Sequence, residues 1–340
     1  MTILKDYPLL RHNTFGIACE AERYAEYGSE EELRQLLAER PKRVLHIGGG
    51  SNLLFLKPRF EGLVLHSGIR TVELLSETEG EALVRVGGGY VWDDLVSLAI
   101  SRGWHGLENL SLIPGEAGAA AVQNIGAYGR EAGDFIEEVE GLSLETLQSR
   151  TFSRSECAYS YRSSLFKTPR ERGRWAVIRV TFRLSKRFAP RLDHGGLQRE
   201  LRLRGIAEAS LTPEGLRSLV IEIRRSKLPD AAVTGNAGSF FKNPVVGRAQ
   251  FERLRSEYPE LPHYEAEEGR VKLPAAWLIE QCGWKGRALG KAAVHSRQAL
   301  VLVNLGGATG EEVLALCRAV QADVSKRFGI ALEPEVNIIA

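Results

Sequence analysis

Clustered glycine is the feature of this sequence that most constrains its fold. The first half of the chain carries glycine triplets at 48–50 and 87–89 and a third glycine-rich stretch at 113–129, and glycine makes up 35 of the 340 residues. Glycines that follow apolar runs are typical of tight turns, because a residue without a Cβ lets the backbone approach another group closely. The sequence therefore predicts several such close approaches.

Strand and helix patterns are interspersed along the chain. Runs rich in Val, Ile and Leu predict strands at 44–47, 62–66, 83–86, 176–184 and 299–304. Apolar periodicity and capping residues predict helices at 29–40, 92–102, 274–282 and 309–328, and a further helix that begins at Thr212-Pro213. Because strands and helices do not alternate regularly, the pattern favours an α+β fold with several domains over a doubly wound sheet.

Composition and charge exclude several classes of protein. Apolar residues make up 44% and charged residues 26%, and 45 Lys and Arg against 43 Asp and Glu give a net charge of +2. So balanced a chain has no signature of nucleic-acid binding, and no apolar run approaches the roughly 20 residues of a membrane span. Four scattered cysteines indicate reduced thiols in a cytoplasmic protein. The GxGxxG, P-loop, HExxH and GxSxG motifs are absent, and no metal site is expected.

Two segments are candidates for ligand binding. Gly48-Gly49-Gly50-Ser51-Asn52 follows a predicted strand, and its backbone N–H groups could converge on a phosphate. Residues 113–129 are almost free of charge and built of small side chains, which suits close packing against a large flat ligand. Each segment has a structural alternative, a glycine hairpin for the first and a buried loop for the second.

These segments belong to a longer series of motifs. Asn13-Thr14-Phe15-Gly16 precedes them, and four strings follow in order, at 161–167, 227–229, 235–244 (GNAGSFFKNP) and 332–336. The series spans almost the whole chain and resembles the UDP-N-acetylenolpyruvoylglucosamine reductase family, in its subclass with the longer insertion.

The resemblance implies an α+β fold with a pair of FAD-binding domains of the vanillyl-alcohol-oxidase (PCMH) type and a smaller α+β substrate-binding domain. The implied boundaries are 1–66 for FAD-binding subdomain 1, 67–225 completed by 327–340 for FAD-binding subdomain 2, and 226–326 for the substrate-binding domain. A cytoplasmic monomer with non-covalent FAD is expected, without a membrane or nucleic-acid partner.

The resemblance also implies an activity in peptidoglycan precursor synthesis. The family reduces UDP-N-acetylglucosamine enolpyruvate to UDP-N-acetylmuramate, as a UDP-N-acetylmuramate dehydrogenase, with NADPH as hydride source and FAD as carrier. Arg162 would hold the substrate carboxylate as a bidentate fork. Ser239 would give a proton to the carbanion, and Glu335 would stabilise the charged intermediate, provided that its carboxyl is protonated and donates.

Further positions match residues that contact ligands in the family. The implied FAD contacts are Gly48, Gly49, Gly50, Ser51, Asn52, Ile113, Pro114, Gly115, Gly118, Asn124, Gly126, Ala127 and Tyr128. The implied substrate contacts are Tyr161, His194, Lys227, Asn243, Tyr264, Lys272 and Gln298.

Two departures from the family pattern affect these expectations. His194 aligns with a tyrosine that closes over the substrate, and a histidine there would change its charge near neutral pH. Ala119-Ala120-Ala121 replaces hydroxyl residues of the flavin loop, which puts the affinity for FAD in question but not its identity. Two other functions stay open on the sequence: an FAD oxidase of the same fold, and a non-catalytic UDP-sugar-binding protein.

Overall fold

A computed structural model describes residues 2–194 and 196–340 of the protein. The chain forms two units, each assembled from separate stretches of sequence. Unit 1 takes the chain up to Tyr7, Ala21–Gly49 and Glu61–Ser226, and unit 2 takes Pro8–Glu20, Gly50–Phe60 and Lys227–Ala340. The chain therefore passes from unit 1 to unit 2 inside the glycine triplet at 48–50.

Strands and α-helices of the described residues are numbered here in chain order. The strands are β1 (Leu4–Pro8), β2 (Glu20–Tyr27), β3 (Val44–Ile47), β4 (Leu53–Phe55), β5 (Arg59–Ser67), β6 (Val72–Glu77), β7 (Glu81–Gly87), β8 (Gly126–Ala127), β9 (Arg130–Glu131), β10 (Ile136–Ser143), β11 (Ser149–Ser153), β12 (Trp175–Ser185), β13 (Asn236–Ser239), β14 (Val245–Val246), β15 (Tyr264–Glu265), β16 (Val271–Lys272), β17 (Ala288–Leu289), β18 (Ala292–Val294), β19 (Val301–Asn304) and β20 (Asn337–Ile339). The helices are α1 (Glu30–Ala38), α2 (Trp92–Ser101), α3 (Ala117–Gln123), α4 (Arg154–Cys157), α5 (Leu197–Leu203), α6 (Pro213–Lys227), α7 (Arg248–Glu257), α8 (Ala275–Gln281) and α9 (Gly310–Phe328).

Unit 1 contains a mixed sheet and an antiparallel sheet. The mixed sheet has the order β1-β2-β5-β3, with β3 parallel to β5, and the antiparallel sheet has the order β11-β10-β12-β7-β6. Strand β12 is apolar along most of its length because both faces are covered. Its Ile178 packs in one cluster with Leu33 of α1, and its Phe182 packs in another with Trp92 of α2. The long central strand is therefore buried on both faces, by α1 and the mixed sheet on one side and by α2 on the other.

Unit 2 is built on the sheet β13-β19-β18-β17, on which α9 packs. Helix α9 begins with a capping box in which Thr309 and Glu312 bond each other's backbone N–H groups, and it ends at Gly329 with a left-handed φ of 64°. Strand β20 pairs in parallel with β4, and β14, β16 and β15 form a separate small sheet. These two additional pairings carry residues of the candidate site.

The structure confirms the predicted strands and helices, with end shifts of a few residues. Helices α3, α4, α5 and α7 were not predicted, and α3 lies inside the small-residue segment 113–129. The boundaries of the three implied domains stay a prediction. Within the described residues, no helix is both long and apolar enough to span a bilayer.

Candidate active site

Gly48 and Gly49 follow β3 and lie against the start of the second candidate segment. A Cβ built on Gly49 would lie 3.4 Å from the Cα of Gly115, and one built on Gly48 would lie 3.0 Å from the Cβ of Ala119. The two candidate segments, 48–52 and 113–129, therefore meet within unit 1. The residues opposite these glycines are Gly115 and Ala119, which are also small. The surface at this contact is therefore largely backbone.

Gly50, Ser51 and Asn52 continue this loop in unit 2. The N–H of Thr14 donates to the carbonyl of Gly50 at 3.2 Å, and the Nδ2 of Asn52 donates to the carbonyl of Glu335 at 3.2 Å. Ser51 lies in the turn between them that leads into β4. The structure thus fixes the predicted phosphate loop beside the backbone of a predicted catalytic residue.

The short helix α3 decides which of the three alanines can affect the cofactor surface. Ala119 is partly exposed and lies opposite Gly48, whereas Ala120 and Ala121 are buried in the apolar core of unit 1. Only one of the three positions where the family carries hydroxyl residues therefore lies at the predicted FAD surface.

The first half of the segment is held by backbone hydrogen bonds. The carbonyl of Gly115 accepts from the first N–H of α2 at 3.0 Å, and the N–H of Gly118 donates to the carbonyl of Gly88 at 2.9 Å. Ile113 packs against the apolar core, and Pro114 is exposed. Predicted FAD contacts at these positions would be made mainly through the backbone.

Asn124 ends α3 with a left-handed φ of 47°, and its side chain is fully buried. Its Nδ2 donates to Glu131 at 2.7 Å and to the carbonyl of Ser160 at 2.8 Å, and its Oδ1 accepts from the N–H of Gly133 at 2.8 Å. The side-chain amide of Asn124 is thus hydrogen-bonded within the protein, and these bonds hold the loop that follows α3.

That loop carries three further predicted FAD contacts. Gly126 and Ala127 form β8, which pairs with β9, and Tyr128 follows with a φ of 50°. The carbonyl of Tyr128 accepts from Asn109, and its ring packs against an apolar cluster that includes the inner face of α6. Burial raises the pKa of the Tyr128 hydroxyl above its ordinary value, so the group is a neutral donor at physiological pH.

A buried ion pair lies beside Gly48. His66 of β5 bonds Glu116 through Nε2 at 2.8 Å and Glu26 through Nδ1 at 3.1 Å. Burial alone would lower the pKa of His66, but the hydrogen bonds with these two carboxylates raise that pKa above the ordinary value. The second carboxylate oxygen of Glu116 is buried, has no hydrogen-bond partner among the described residues, and would lie 3.2 Å from a Cβ at Gly48. An acceptor therefore remains available at the loop.

Arg162 lies in unit 1, in a turn that is hydrogen-bonded to the loop with the predicted flavin contacts. It occupies a tight turn with a φ of 54°, and its guanidinium donates to the carbonyl of Gly126 at 2.6 Å. The guanidinium also lies 5.3 Å from the ring centroid of Tyr161. The structure therefore brings the predicted carboxylate-binding residue and its tyrosine neighbour to the segment expected to line the flavin.

His194 contacts the end of that segment. A Cβ on Gly129 would lie 2.7 Å from the Nδ1 of His194, so the imidazole covers this glycine, and the same Nδ1 lies 3.1 Å from the carboxylate of Asp193. The hydrogen bond with His194 is the main reason why the pKa of Asp193 lies below its ordinary value. His194 thus stands beside the predicted flavin segment with an ionised partner.

In unit 2, a bulge sets the position of Ser239. The pairing of β13 with β19 is irregular between Asn236 and Ser239, and Gly238 has a left-handed φ of 67°. The side chain of Asn236 accepts from the N–H of Gly238 at 2.9 Å, while Phe240 is fully buried. A bulge of this kind redirects the side chain that follows it. Among the described residues no partner bonds the Ser239 hydroxyl, which is half-buried.

Glu335 lies beside this strand. Its N–H donates to the carbonyl of Phe240 at 2.8 Å, and the N–H of Lys242 donates to the carbonyl of Glu333 at 2.9 Å. Residues nearly 100 positions apart in sequence therefore run side by side. The two predicted catalytic residues of unit 2, Ser239 and Glu335, are brought together by this backbone pairing.

Five of the predicted substrate contacts belong to unit 2, namely Lys227, Asn243, Tyr264, Lys272 and Gln298. Asn243 accepts from the first N–H of α8 at 3.0 Å, and Tyr264 and Lys272 are paired across β15 and β16. Gln298 precedes β19, and its Oε1 accepts a hydrogen bond from the N–H of Leu300 at 3.3 Å. Lys227 is exposed at the end of α6. Cross-strand pairing thus places two predicted substrate contacts, Tyr264 and Lys272, directly opposite each other.

Arg224 was not among the predicted site residues. It lies on α6 among the charged groups near Tyr128 and Arg162, and its Nε is buried without a hydrogen-bond partner among the described residues. The only sequence signal for Arg224 was its spacing from Arg217, which places both residues on one face of a helix about two turns apart. Such spacing is also typical of a solvated face, so only the packing distinguishes the two cases.

The four cysteines are free thiols, and three of them are buried. Burial raises the pKa of Cys19 and of Cys157 to about 11 and that of Cys317 to about 12. Among residues 2–194 and 196–340, no group of three His, Cys, Asp or Glu side chains is placed to hold a metal ion.

The chain is similar to known proteins along almost its whole length. The chain is 54% identical to the UDP-N-acetylenolpyruvoylglucosamine reductase of Bacteroides fragilis over 335 residues, which cover 98% of this chain and 99% of the relative. It is 50% identical to the enzyme of the same name from Burkholderia vietnamiensis, over 98% of this chain and 96% of the relative. The chain belongs to the UDP-N-acetylenolpyruvoylglucosamine reductase family.

Two family models and a solved structure agree with this assignment. Residues 21–145 match an FAD binding domain, and residues 229–339 match the C-terminal domain of UDP-N-acetylenolpyruvoylglucosamine reductase. The crystal structure of the reductase from Thermus caldophilus superimposes with a TM-score of 0.68 at 25% identity, covering 100% of this chain and 98% of that one. The predicted α+β fold with an FAD-binding domain is confirmed.

The described residues of this reductase-family chain fit FAD. The contact between residues 48–49 and 115–119 leaves backbone at the surface, as close approach of a phosphate or a flat ring requires, and Glu116 offers an acceptor without a partner. Both lie inside the range matched by the FAD-binding model. FAD as the cofactor is thereby confirmed, while its individual contacts stay predictions.

Proposed function

We propose that the chain reduces UDP-N-acetylglucosamine enolpyruvate to UDP-N-acetylmuramate, with NADPH as the hydride source and FAD as the carrier. The observation that carries this proposal is the pairing of Glu335 with Phe240, which sets Ser239 and Glu335 side by side in a chain of this family. An oxidase or a sugar-binding protein of the same fold has no evident use for that pair. FAD, when bound, supplies the redox chemistry that no side chain of the protein can provide.

Arg162 is proposed to hold the carboxylate of the enolpyruvyl group. A guanidinium is always charged and matches a carboxylate with two parallel hydrogen bonds. Its bond to the carbonyl of Gly126 fixes one edge of the fork and leaves the group oriented by the flavin segment. Negative charge that develops on the carboxylate during reduction would be stabilised there without reorganisation of the site.

Ser239 is proposed to give its hydroxyl proton to the carbon next to the carboxylate, after hydride has reached the terminal enol carbon. The hydroxyl has no competing partner among the described residues and follows a bulge that fixes its direction. A serine is a weak acid, so the transfer needs a nearby donor or cation, and Lys227 is the candidate for that cation.

Glu335 is proposed to stabilise the same charge from the side of the C-terminal strand. A carboxylate would repel a developing anion, so Glu335 assists only as a neutral acid that donates a hydrogen bond. Its backbone is fixed by two elements, through Asn52 and through Phe240. Fixing of this kind keeps a donor aimed at one position.

The UDP-sugar is proposed to lie along Tyr161, Lys227, Asn243, Tyr264, Lys272 and Gln298, with His194 in place of the closing tyrosine. The paired Tyr264 and Lys272 offer a ring and an amine, which suit a nucleoside diphosphate. We further propose a cytoplasmic monomer with non-covalent FAD, in keeping with four free and mostly buried thiols.

An anaerobic visible spectrum tests the whole proposal. NADPH is added first to the purified protein and should bleach the flavin band; UDP-N-acetylglucosamine enolpyruvate is added second and should restore it. A band that returns only when oxygen is admitted would indicate an oxidase. A protein that takes up no FAD would contradict both readings and favour a sugar-binding protein.

Replacement of the proposed proton donor separates the two half-reactions. In Ser239→Ala, NADPH should still bleach the flavin band, whereas return of the band on adding substrate should slow on the order of a hundredfold or more, the usual contribution of a general acid. Ser256→Ala, on the exposed face of α7 in the same unit, is the matched control. Turnover by Ser239→Ala at the wild-type rate would assign the proton to another group.

A further inference from the structure

Glu116 is an unexpected neighbour for a loop that is predicted to bind a diphosphate. Its side chain is buried, and one of its oxygens would lie 3.2 Å from a Cβ at Gly48. Phosphate groups carry negative charge and repel a carboxylate at close range unless its charge is compensated. The mechanism above gives Glu116 no role, so its presence at this loop needs a physical reason.

His66 of β5 supplies the compensating charge. Its Nε2 bonds the Oε1 of Glu116 at 2.8 Å, and both side chains are buried. The Oε2 of Glu116 is buried and has no hydrogen-bond partner among the described residues. The charge of Glu116 therefore depends on one imidazole, and loss of the proton on that imidazole would leave a desolvated and uncompensated carboxylate.

Titratable groups of two neighbouring strands complete the surroundings of His66. Glu26 of β2 lies 3.1 Å from its Nδ1, and the hydroxyl of Tyr24 lies 3.4 Å from the same nitrogen. On β3, burial and the charge of His66 lower the pKa of His46 to about 4. Burial raises the pKa values of Tyr24 and of Tyr27, which bonds His46, above the ordinary value. Both tyrosines and His46 are therefore neutral between pH 6 and pH 9.

His66 is thus the group of this cluster whose charge changes near neutral pH. Burial alone would lower its pKa, but the bonds with Glu116 and Glu26 raise that pKa above the ordinary histidine value. Arg70, which acts on Tyr24, is a fixed cation. With its proton, His66 and its two carboxylates carry one net negative charge, and without the proton they carry two.

We propose that the pair of His66 and Glu116 couples the binding of FAD to a proton. The diphosphate of FAD binds beside Gly48 while His66 is protonated, and loss of that proton weakens binding because the two carboxylates then repel the phosphates. Placement of the diphosphate at residues 48–52 is part of the proposed function, on which this coupling rests. His66, Glu116, Glu26 and Gly48 all belong to unit 1.

Thermodynamic linkage gives the sign of the effect. An anion bound near His66 favours the protonated imidazole, so the pKa of His66 is higher in the FAD complex than in the FAD-free protein. The affinity for FAD is therefore greatest below the pKa of the FAD-free protein and falls as pH rises from that value to the value in the complex. Between the two values, binding of FAD takes up a proton from solution.

Titration of the FAD-free protein with FAD, repeated from pH 6 to pH 9, measures the coupling. We expect the Kd to rise on the order of tenfold over this range, the effect of one charge on a nearby anion. Calorimetry in two buffers of different ionisation enthalpy should show uptake of up to one proton for each FAD bound. Thermal unfolding of the FAD-free protein at each pH separates these changes from loss of the fold.

Two variants distinguish charge from packing. His66→Gln should bind FAD at pH 6 about as weakly as the wild type does at pH 9, with little change between, because the same two carboxylates are then uncompensated at every pH. Glu116→Gln should bind FAD more tightly than the wild type at pH 9, since it removes the negative charge beside the loop. It should also move the midpoint of the Kd profile to lower pH, because Glu116 no longer raises the pKa of His66.

His105→Gln is the matched control. His105 bonds Glu108 at 3.0 Å in a second His–Glu pair of unit 1. Its backbone pairs with that of Ser185 at the end of β12. We expect His105→Gln to keep the wild-type dependence of the Kd on pH.

Three results would overturn this coupling. A wild-type Kd that is the same at pH 6 and pH 9, without proton uptake, would show that His66 keeps one charge state through binding. Equal weakening of FAD binding by His66→Gln and Glu116→Gln at every pH would assign the pair to the fold. The loss of pH dependence in His105→Gln would assign it to unit 1 as a whole. Wild-type protein that binds no FAD at any pH would instead contradict the proposed function, so the two failures are distinguishable.

Discussion

Two glycine triplets follow strands in this chain, and the triplet at 87–89 has surroundings very different from those of Gly49 in the other triplet. At 87–89, a Cβ on any of the three glycines would overlap a backbone carbonyl oxygen. That oxygen belongs to Ile69 for Gly87, to Val177 for Gly88 and to Ser67 for Gly89. At Gly49, by contrast, the nearest atom would be the Cα of Gly115 at an ordinary 3.4 Å. The backbone around 87–89 has no room for a side chain, whereas Gly49 has room for a methyl group.

The difference shows that one sequence pattern serves two physical purposes. The triplet at 87–89 lets β7, β12 and the end of β5 pack backbone against backbone inside unit 1, so its glycines are required by the fold. Gly49 can accept a methyl group without a clash, so this glycine is better explained by a ligand. Stability and FAD affinity should therefore respond oppositely to the same substitution at Gly49 and in the triplet at 87–89.

The largest expected effect is that of Gly89→Ala. The added methyl group would meet the carbonyl of Ser67, and the strands would have to move apart. We expect the free energy of unfolding to fall by about 3 kcal/mol or more, at the upper end of overpacking effects. Chemical denaturation of the FAD-free protein measures it, with Gly80→Ala, where no atom lies within 4 Å, as the control. Wild-type stability in Gly89→Ala would remove the basis of the comparison.

Gly49→Ala should have its effect on FAD. The methyl group fits the apoprotein but occupies the surface between the two candidate segments. We expect the Kd for FAD to rise roughly tenfold, about 1.4 kcal/mol, with the free energy of unfolding of the apoprotein unchanged. Titration of the apoprotein with FAD measures this. Reduced stability together with an unchanged Kd would mean that both triplets serve only the fold.

A smaller and pH-dependent effect is expected at His66, which supports the carboxylate beside Gly48. The folded pKa of His66 is raised by its bonds with Glu116 and Glu26, against the effect of burial. Its protonated form therefore stabilises the fold fully below the ordinary histidine pKa, and this contribution is lost as pH rises through the raised value. His66→Gln should cost on the order of 1 kcal/mol at pH 6 and less at pH 9. His263→Gln, in unit 2, is the control; a cost that does not change with pH would contradict the ion pair.

The smallest expected effect is that of Ala119→Ser. Ala119 is the one alanine of its triplet opposite Gly48, and a hydroxyl there restores a donor of the kind that the family commonly carries. We expect FAD to bind a few-fold more tightly, in line with about 1 kcal/mol for a hydrogen bond. Ala121→Ser is the matched contrast, because its hydroxyl would be buried in the core and should lower stability. Equal effects of the two variants on FAD would contradict the orientation of α3.

Local patterns predicted most of the secondary structure because those elements are stabilised by their own caps and apolar faces. Helix α9 shows this, with Thr309 and Glu312 at its start and Gly329 at its end. Helix α3 was missed because a run of Ala and Gly has no apolar period. It is helical because Asn124 and the contact with β12 hold it in place.

The candidate site divides in the same way. Motif resemblance predicted Arg162, Ser239 and Glu335 together with the loop at 48–52, because these strings are specific and ordered along the chain. It could not supply the contact of His194 with Gly129, nor the burial of the Arg224 Nε, which has no hydrogen-bond partner among the described residues. Both depend on which surfaces face each other, and residue types along a chain do not encode that distance.

The sequence by itself determined the α+β class, FAD as the cofactor and the family, because these depend on periodicity and on strings of residues that are local or strictly ordered. Only the tertiary structure decided which glycines serve packing and which leave room for a ligand. It also decided that Ser239 and Glu335 lie on paired stretches of backbone. The physical reason is that steric contact and desolvation are set by neighbours from distant parts of the chain.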